Sequence, residues 1–345
     1  MKNKTILVTG GTGYIGSWVT KGLLEKGYTV RLTVRNKAQK DKYKHLLDIE
    51  KSTNGKLEFW QADLLSEGAF DQAMEGCSAV IHMASPFTLR FKNARKELIE
   101  PALNGTRNVL NAATKSATVK KVVLTSSVAA VHGDNIDMKE LGITEFTEEH
   151  FNYSSDALHQ PYSYSKVLAE KEAWKIAQNQ NQWKLVVINP SFVMGPSLTE
   201  TSNSESLNFM KEMLSGKYFF GAPNLMFGFV DVRDVAKAHI LALENDSAQG
   251  RHILAERTIS VYEFSKIIKK IYGNKYKLPM MQSPKFILYT VGWAFNLTNK
   301  FITRNVGHDI RLNTTKSKEK LGLTYMSLEQ TVKDMIDQIE KNKTL

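Results

Sequence analysis

Thr5-Ile6-Leu7-Val8-Thr9-Gly10-Gly11-Thr12-Gly13-Tyr14-Ile15-Gly16 is the stretch from which the rest of the chain can be read. Its first five residues form a short apolar, β-rich run of the kind a buried parallel strand requires. Beyond the glycines, Ile15, Trp18, Val19, Gly22 and Leu23 recur at helical spacing, and Gly27 supplies a stop. Tyr28 to Arg35 then reads as a second strand. Strand, glycine turn, helix and strand within about 35 residues make up a dinucleotide-binding unit. Gly10 suits the tight turn out of the strand. Gly13, without a Cβ, lets the backbone approach a pyrophosphate, and Gly16 lets the helix pack on the strand. Thr12, Tyr14 and Ile15 lie between these glycines and join them as expected cofactor contacts, because the helix start offers free N–H groups and a positive dipole end.

The end of the second strand selects the cofactor. An acid there would bond the ribose 2′-hydroxyl of NAD, whereas an arginine accepts the 2′-phosphate of NADP. The chain has Arg35 followed by Asn36, with Lys42 close behind. A guanidinium grips phosphate with two parallel hydrogen bonds, so NADPH is expected over NADH.

Further strands follow in alternation with helices. Leu57 to Asp63 is a third strand ending in an acid. The Asp63 carboxylate is placed either to accept from an adenine amino group or to cap a helix from Leu64 onward. Ala79 to Ser85 is a fourth strand. Ligands sit beyond the carboxyl ends of such strands, which places Ala84 and Ser85 near the nicotinamide ribose. His82 reads as a hydrogen-bonded strand residue. A helical stretch from about Asn93 to Lys115 contains Pro101 and is expected to kink or restart there. Val122 to Ser127 and Val186 to Asn189 are the fifth and sixth strands. The alternation predicts an α/β fold with a doubly wound parallel sheet and a smaller, mainly C-terminal, substrate-binding lobe.

Tyr162-Ser163-Tyr164-Ser165-Lys166 opens an amphipathic helix behind Pro161. Tyr162 and Lys166 are four residues apart and share one face. A nearby ammonium favours phenolate and is expected to lower the tyrosine from its free value near ~10, so that it can protonate an alkoxide as hydride reaches a carbonyl carbon. The same spacing recurs at Tyr262 and Lys266. The first pair is preferred because it lies between the fifth and sixth strands and follows a serine cluster at a strand end. There, Ser127 or Ser126 can hold the carbonyl oxygen. Successive strand side chains face opposite ways, so one of the two looks into the site, and these residues alone leave the choice open.

Taken together these segments resemble the extended short-chain dehydrogenase/reductase family. The resemblance is to the branch of dihydroflavonol 4-reductases, cinnamoyl-CoA reductases and microbial aldehyde and methylglyoxal reductases. It is carried by Val8 to Trp18, Thr33-Val34-Arg35, Lys44 to Leu47, Trp60 to Leu64, His82 to Pro86, Thr125-Ser126-Ser127, Tyr162 to Lys166, Asn189-Pro190 and Phe229 to Ala236. It implies a Ser127–Tyr162–Lys166 triad and hydride delivery from NADPH to an aldehyde or ketone. It further implies that Arg35 and Lys42 meet the 2′-phosphate, that Asp63 and Leu64 lie near the adenine, and that Asn189 and Pro190 join the cofactor contacts. Phe87, His132, Phe192, Met194 and Gly228 are the implied substrate contacts. His132 stands where the plant flavonoid enzymes commonly have asparagine, and the triad tyrosine follows Gln160-Pro161 rather than completing the N-W-Y-C run of many cinnamoyl-CoA reductases. Both departures favour a microbial-type aldehyde or ketone reductase.

The whole chain fits this reading. It has 345 residues, 42% hydrophobic and 23% charged, an ordinary globular composition. Cys77 is the only cysteine, Met1-Lys2-Asn3-Lys4 runs straight into a strand, and no signal peptide is read, so a reducing, cytoplasmic compartment is expected. The net charge of +11 raises nucleic acid as a partner, but the lysines look interleaved with acids, and the one local cluster is Arg35 to Lys44. No metal-ligand spacing is present. The apolar patch Phe286 to Leu297 is too short to cross a bilayer, which takes roughly 20 residues, and reads as a packed or pocket helix in preference to an interfacial one. The expected partner is therefore a small carbonyl compound, without nucleic acid or membrane, and the expected state is a monomer or homodimer.

The NADP-binding domain is expected over 1–190 with returns near 229–243 and 251–256, and the substrate lobe over 191–228 and 257–345. Ser197 to Ser206 is polar and reads as a lid. Two rivals share the glycine turn: an NAD-dependent nucleotide-sugar epimerase or dehydratase, disfavoured by Arg35, and a non-catalytic NADP-binding redox sensor, which would not need Tyr162 and Lys166.

Overall fold

The computed structural model of the protein describes residues 4–85, 91–199, 204–295 and 297–342. The chain begins β1 (Thr5–Thr9), α1 (Tyr14–Glu25), β2 (Thr29–Val34), α2 (Lys44–Lys51), β3 (Lys56–Gln61), α3 (Asp71–Met74) and β4 (Ala79–His82). It continues with α4 (Glu100–Lys115), β5 (Lys121–Thr125), α5 (Asp137–Glu140), α6 (Pro161–Gln178), β6 (Lys184–Pro190) and β7 (Phe192–Met194). Then come α7 (Glu205–Leu214), β8 (Ala222–Pro223), β9 (Met226–Asp231), α8 (Val232–Glu244), β10 (Gly250–Leu254), β11 (Arg257–Ser260) and α9 (Val261–Tyr272). The last elements are β12 (Gln282–Ser283), α10 (Lys285–Val291), α11 (Asn299–Asn305), α12 (Thr315–Leu321) and α13 (Leu328–Lys341).

Seven strands form one parallel sheet in the order β10-β6-β5-β4-β1-β2-β3. Side chains alternate across it as strand geometry demands. Ile6 and Val8 join the core under α1 and α8, while Leu7 joins the opposite core under α4 and α6. Every residue of β4 is buried, which is why a central parallel strand reads as a continuous apolar run. The strand order reverses between β1 and β4, and the crevice beyond their carboxyl ends is where such a sheet takes a ligand.

The expected irregularity at Pro101 is a widened turn. Arg95–Ile99 is a π-helical segment leading into α4, with Pro101 near the α4 start. Proline donates no N–H, and its ring crowds the carbonyl four residues back, so the wider turn accommodates it.

The remaining strands form two smaller sheets, β11-β9-β7 and β12-β8. With α7, α9 and α13 they enclose a separate apolar cluster around Phe229, Phe264, Met210 and Ile336. The segment near Phe229, expected back in the main sheet, returns only in part. β9 pairs with β7 and β11, and the return is made by α8 and by β10. The patch from Phe286 to Leu297 is not the packed helix expected of it. Leu288 is its buried anchor, and Phe286, Ile287, Tyr289, Val291 and Trp293 are exposed. Among the described residues no helix is long and apolar enough to cross a membrane.

Candidate active site

The glycine turn closes the switch point between β1 and β4. Gly10 has φ +71°, and a Cβ on it would stand 2.8 Å from the Ala84 amide nitrogen. Thr9 Oγ1 accepts from the amides of Met83 at 3.2 Å and Ala84 at 3.1 Å, and it pairs with His82 Nδ1 at 2.7 Å. His82 is thus a hydrogen-bonded residue at the strand end. Burial, with Lys166 nearby, pushes its imidazole down to about 3. A Cβ on Gly16 would lie 2.1 Å from the Gly10 oxygen, so turn and helix touch directly. Gly13 differs: it is exposed, and a Cβ there would meet only the Gly10 oxygen at 3.3 Å. Gly13 also N-caps α1 with no side-chain capping bond and no acid in the first turn. An open side, uncapped N–H groups and a positive dipole end fit the pyrophosphate of a dinucleotide.

Around this turn the side chains have other work. The Tyr14 hydroxyl donates to the Gly195 carbonyl at 2.6 Å, and Trp18 Nε1 donates to Pro196 at 2.9 Å, which pins the loop after β7 onto α1. Tyr14 and Ile15 pack on the core, so their backbone is what they offer the turn, beside the half-buried Thr12. Arg35 lies one residue past β2, exposed and without an ion-pair partner among the described residues, and Lys42 is exposed in the 3-10 turn Lys40–Tyr43. Ala84 and Ser85 are half-buried just past β4. Asp63 does not cap a helix: Leu64 to Phe70 are turns, and Asp63 Oδ1 accepts from the Leu65 amide at 2.9 Å. Leu64 packs over α4, where a Cβ on Gly105 would be 2.5 Å from its Cγ.

Pro161 opens α6, so Tyr162 lies in its first turn and Lys166 one turn on. The Lys166 ammonium is 5.7 Å from the Tyr162 ring centre. Ser127, just past β5, shares a hydrogen bond with the Tyr162 phenol, and its Oγ accepts from the Ala129 amide at 3.1 Å. Ser126 faces the other way and donates to Glu170 Oε2 at 2.5 Å. Alternation along the strand therefore puts Ser127, not Ser126, beside Tyr162.

The electrostatics reverse one expectation. Burial pushes the Tyr162 phenol up to about 12, and the Ser127 hydrogen bond offsets only part of that. Burial also pulls the Lys166 ammonium down to about 8, against the opposing pull of Glu170. The cost of desolvation outweighs the Ser127 hydrogen bond, so Tyr162 stays protonated at neutral pH.

Two buried carboxylates hold the ends of this arrangement. Glu170, one turn beyond Lys166, accepts from Ser126 and from Asn189 Nδ2 at 2.8 Å, and pairs with Arg251 at 2.5 Å. Asn189 Nδ2 also donates to the Ser127 carbonyl at 3.1 Å, while Pro190 is buried at the end of β6. Asp134 accepts from His159 Nε2 at 2.8 Å, Gln160 Nε2 at 2.7 Å, Asn305 Nδ2 at 2.6 Å and Arg304 Nε at 2.5 Å. Burial pushes its pKa up, but these donors win and hold the carboxyl below the usual range. Gln160 has φ +55°, and among the described residues it is the one non-glycine with positive φ. A left-handed residue directly before Pro161 costs energy, and its bond to Asp134 helps to hold it in place. Sequence reasoning missed both carboxylates. Glu170 had a signal, its position on the helical face of Tyr162 and Lys166. Asp134 had none, since its partners come from distant segments.

Of the expected substrate contacts, Phe192, Met194 and Gly228 lie together on the paired strands β7 and β9. His132 is half-buried and stacks on Phe146 at 5.0 Å, with Nδ1 unpartnered and burial pulling its imidazole to about 4. Phe192 is half-buried against Phe209, Phe227 and Phe229. Met194 is fully buried in the lobe core, and Met210 beside it likewise, so both are packing residues there. Gly228 is buried, where a Cβ would meet Leu312 at 2.6 Å and Ser191 at 2.9 Å. Phe87 and the middle of the expected lid, 200–203, lie outside the described residues.

Comparison with known proteins places the chain. A model of the NAD dependent epimerase/dehydratase family matches residues 6–255. Cinnamoyl-CoA reductase CAD2 of Medicago truncatula is 38% identical over 341 residues, covering 98% of this chain and 96% of its own. Gre2 from Candida albicans, solved in complex with NADPH, superposes with a TM-score of 0.76 at 33% identity over 98% of this chain and 99% of its own. Yeast methylglyoxal/isovaleraldehyde reductase Gre2, complexed with NADPH, gives 0.77 at 25% identity over 99% of each. The lack of the N-W-Y-C run therefore does not separate the chain from a cinnamoyl-CoA reductase in overall identity. With a glycine turn at the switch point of a seven-stranded parallel sheet and named reductases matching nearly end to end, the chain belongs to the NAD dependent epimerase/dehydratase family, the extended short-chain dehydrogenases/reductases, and is an oxidoreductase.

Proposed function

We propose that the protein is an NADPH-dependent reductase that converts the carbonyl of an aldehyde or ketone to an alcohol. The observation that carries this reading is the enclosure of Ser127, Tyr162 and Lys166 where β5 meets the start of α6, with a protonated phenol at its centre. Gly10, Gly13 and Gly16 with the start of α1 would hold the pyrophosphate, and Arg35 with Lys42 the 2′-phosphate. When bound, NADPH supplies the hydride. Ser127 holds the carbonyl oxygen, and Tyr162 donates its proton to that oxygen as negative charge develops. Lys166, charged below about 8, stabilises the phenolate left behind. Glu170 and Asn189 keep the backbone under Ser127 in register with α6.

Two neighbours solved with NADPH support the cofactor choice, as does Arg35 of this chain, exposed and without an ion-pair partner among the described residues. The family also includes epimerases and dehydratases by its description, and Arg35 at the strand end favours the reductase over them. Turnover measured as loss of NADPH absorbance, with NADH as control, across a panel of aldehydes and ketones tests the proposal. Turnover with NADPH that Tyr162→Phe removes is the expected result. A wild type that binds NADPH and reduces nothing, or that purifies with NAD held tightly, would overturn it.

A further inference from the structure

One stretch of the chain separates charge in a way the overall composition hides. From Phe264 to His308 there are eight Lys and Arg residues and no Asp or Glu, in a chain whose net charge is +11. No acid interleaves with them in sequence, but acids from other segments meet three of the eight in space: Lys275 pairs with Glu340, Lys300 with Asp156, and Arg304 with Asp134, Asp137 and Glu140. The same stretch exposes large apolar side chains. Trp293 is 78% exposed, Phe286 72% and Met280 59%, and Phe220 beside them is 84% exposed.

These side chains belong to one surface. The Met280 amide donates to the Phe219 carbonyl at 3.0 Å, and β12 pairs with β8, so Met280 and Met281 adjoin Phe220. Pro284 leads directly into α10, whose inner side is fixed by Leu288 packing with Ile302 and Val306. Phe286 lies in α10 and Trp293 in the 3-10 turn Gly292–Phe295 that follows it, and both are exposed where Leu288 is buried. Phe295 closes the patch by stacking on Tyr218 at 6.0 Å. Around it stand Lys277 and Lys285. Lys217 and Lys300 are also present, though each faces an acid, Glu212 and Asp156.

We propose that this face docks in the plane of an anionic phospholipid bilayer, with Phe220, Met280, Phe286 and Trp293 in the acyl–headgroup boundary and the lysines against the headgroups. Exposed contiguous apolar surface marks an interaction site. Exposed aromatic side chains with Lys277 and Lys285 beside them, on a stretch that itself carries no acid, match the chemistry of an anionic lipid interface. A second copy of the chain is the poorer occupant, because two such basic faces would repel.

Vesicle flotation tests this directly, using vesicles of phosphatidylcholine alone and vesicles that also carry phosphatidylserine. Trp293 gives a second readout, being the one exposed tryptophan of the five. Wild type should float with the anionic vesicles at least ~10-fold better than with the neutral ones, with the emission of Trp293 shifted to the blue and quenched by brominated lipid. Phe286→Ser combined with Trp293→Ser should lose that binding while unfolding at the wild-type temperature. Lys277→Glu with Lys285→Glu should weaken it and leave Trp293 emission in buffer unchanged. Equal partition onto both vesicle types, or anionic binding that the double serine variant leaves intact, would overturn the proposal. So would a self-associated wild type that the double serine variant converts to monomer, since the patch would then be an interface between copies.

Discussion

Tyr162 and Lys166 on α6 have a local twin in Tyr262 and Lys266 on α9. In both helices the serine before the lysine, Ser165 or Ser265, donates to the tyrosine carbonyl at 2.7 Å. In both the ammonium reaches over the ring, at 5.7 Å in the first pair and 4.6 Å in the second. What differs is everything non-local. One turn past Lys166 stands buried Glu170, tied to Ser126, Asn189 and Arg251, whereas one turn past Lys266 stands exposed Lys270. Ser127 comes to Tyr162 from the end of β5, while α9 begins with a self-contained capping box between Ser260 and Glu263. A Tyr-x-x-x-Lys spacing is therefore only a geometric opportunity. Burial by other elements and a serine brought from a strand end make it a candidate reaction centre.

That contrast can be broken most sharply at the lysines. Lys166→Ala should lower kcat/KM for carbonyl reduction by ~10²–10⁴-fold, and Lys266→Ala by less than about twofold. Equal losses in steady-state assays would dissolve the distinction. Stability should separate the helices next. Glu170→Ala strands the buried Arg251 charge and should cost ~3–5 kcal/mol in denaturant unfolding. Ser260→Ala removes only a cap and should cost ~1 kcal/mol. Arg35→Ala should then weaken NADPH binding by about 10–100-fold, read by titrating cofactor fluorescence, and leave NADH nearly unchanged. The smallest effect concerns pH. Lys166 carries its charge below about 8 and loses it above, so kcat for reduction should be level at neutral pH and fall as pH rises through about 8. Lys166→Arg should move that fall upward.

Much of this was legible in the sequence, and the boundary is physical. Local patterns sufficed for β1, the glycine turn and α1, because a buried strand, a positive φ at Gly10 and close packing at Gly16 are each dictated by a few adjacent residues. Tyr162 and Lys166 were legible for the same reason. Ser126 and Ser127 were legible only as a pair, until the register of β5 against α6 separated them. The acidity of Tyr162 was misjudged, because the spacing shows the ammonium but not the burial that raises the phenol. Asp134 was invisible, since Gln160, Arg304 and Asn305 meet it only in three dimensions. The acid-free stretch from Phe264 to His308 was readable but was lost in a chain-wide average.

The most direct test of the account is kcat/KM for NADPH-dependent carbonyl reduction by Tyr162→Phe and Tyr262→Phe side by side, with NADPH binding measured on the same samples. A loss of ~10²–10⁴-fold for Tyr162→Phe with cofactor binding retained, and near wild-type turnover for Tyr262→Phe, is the result expected. Undiminished turnover by Tyr162→Phe, or an equal loss in both variants, would contradict the assignment of the reaction centre.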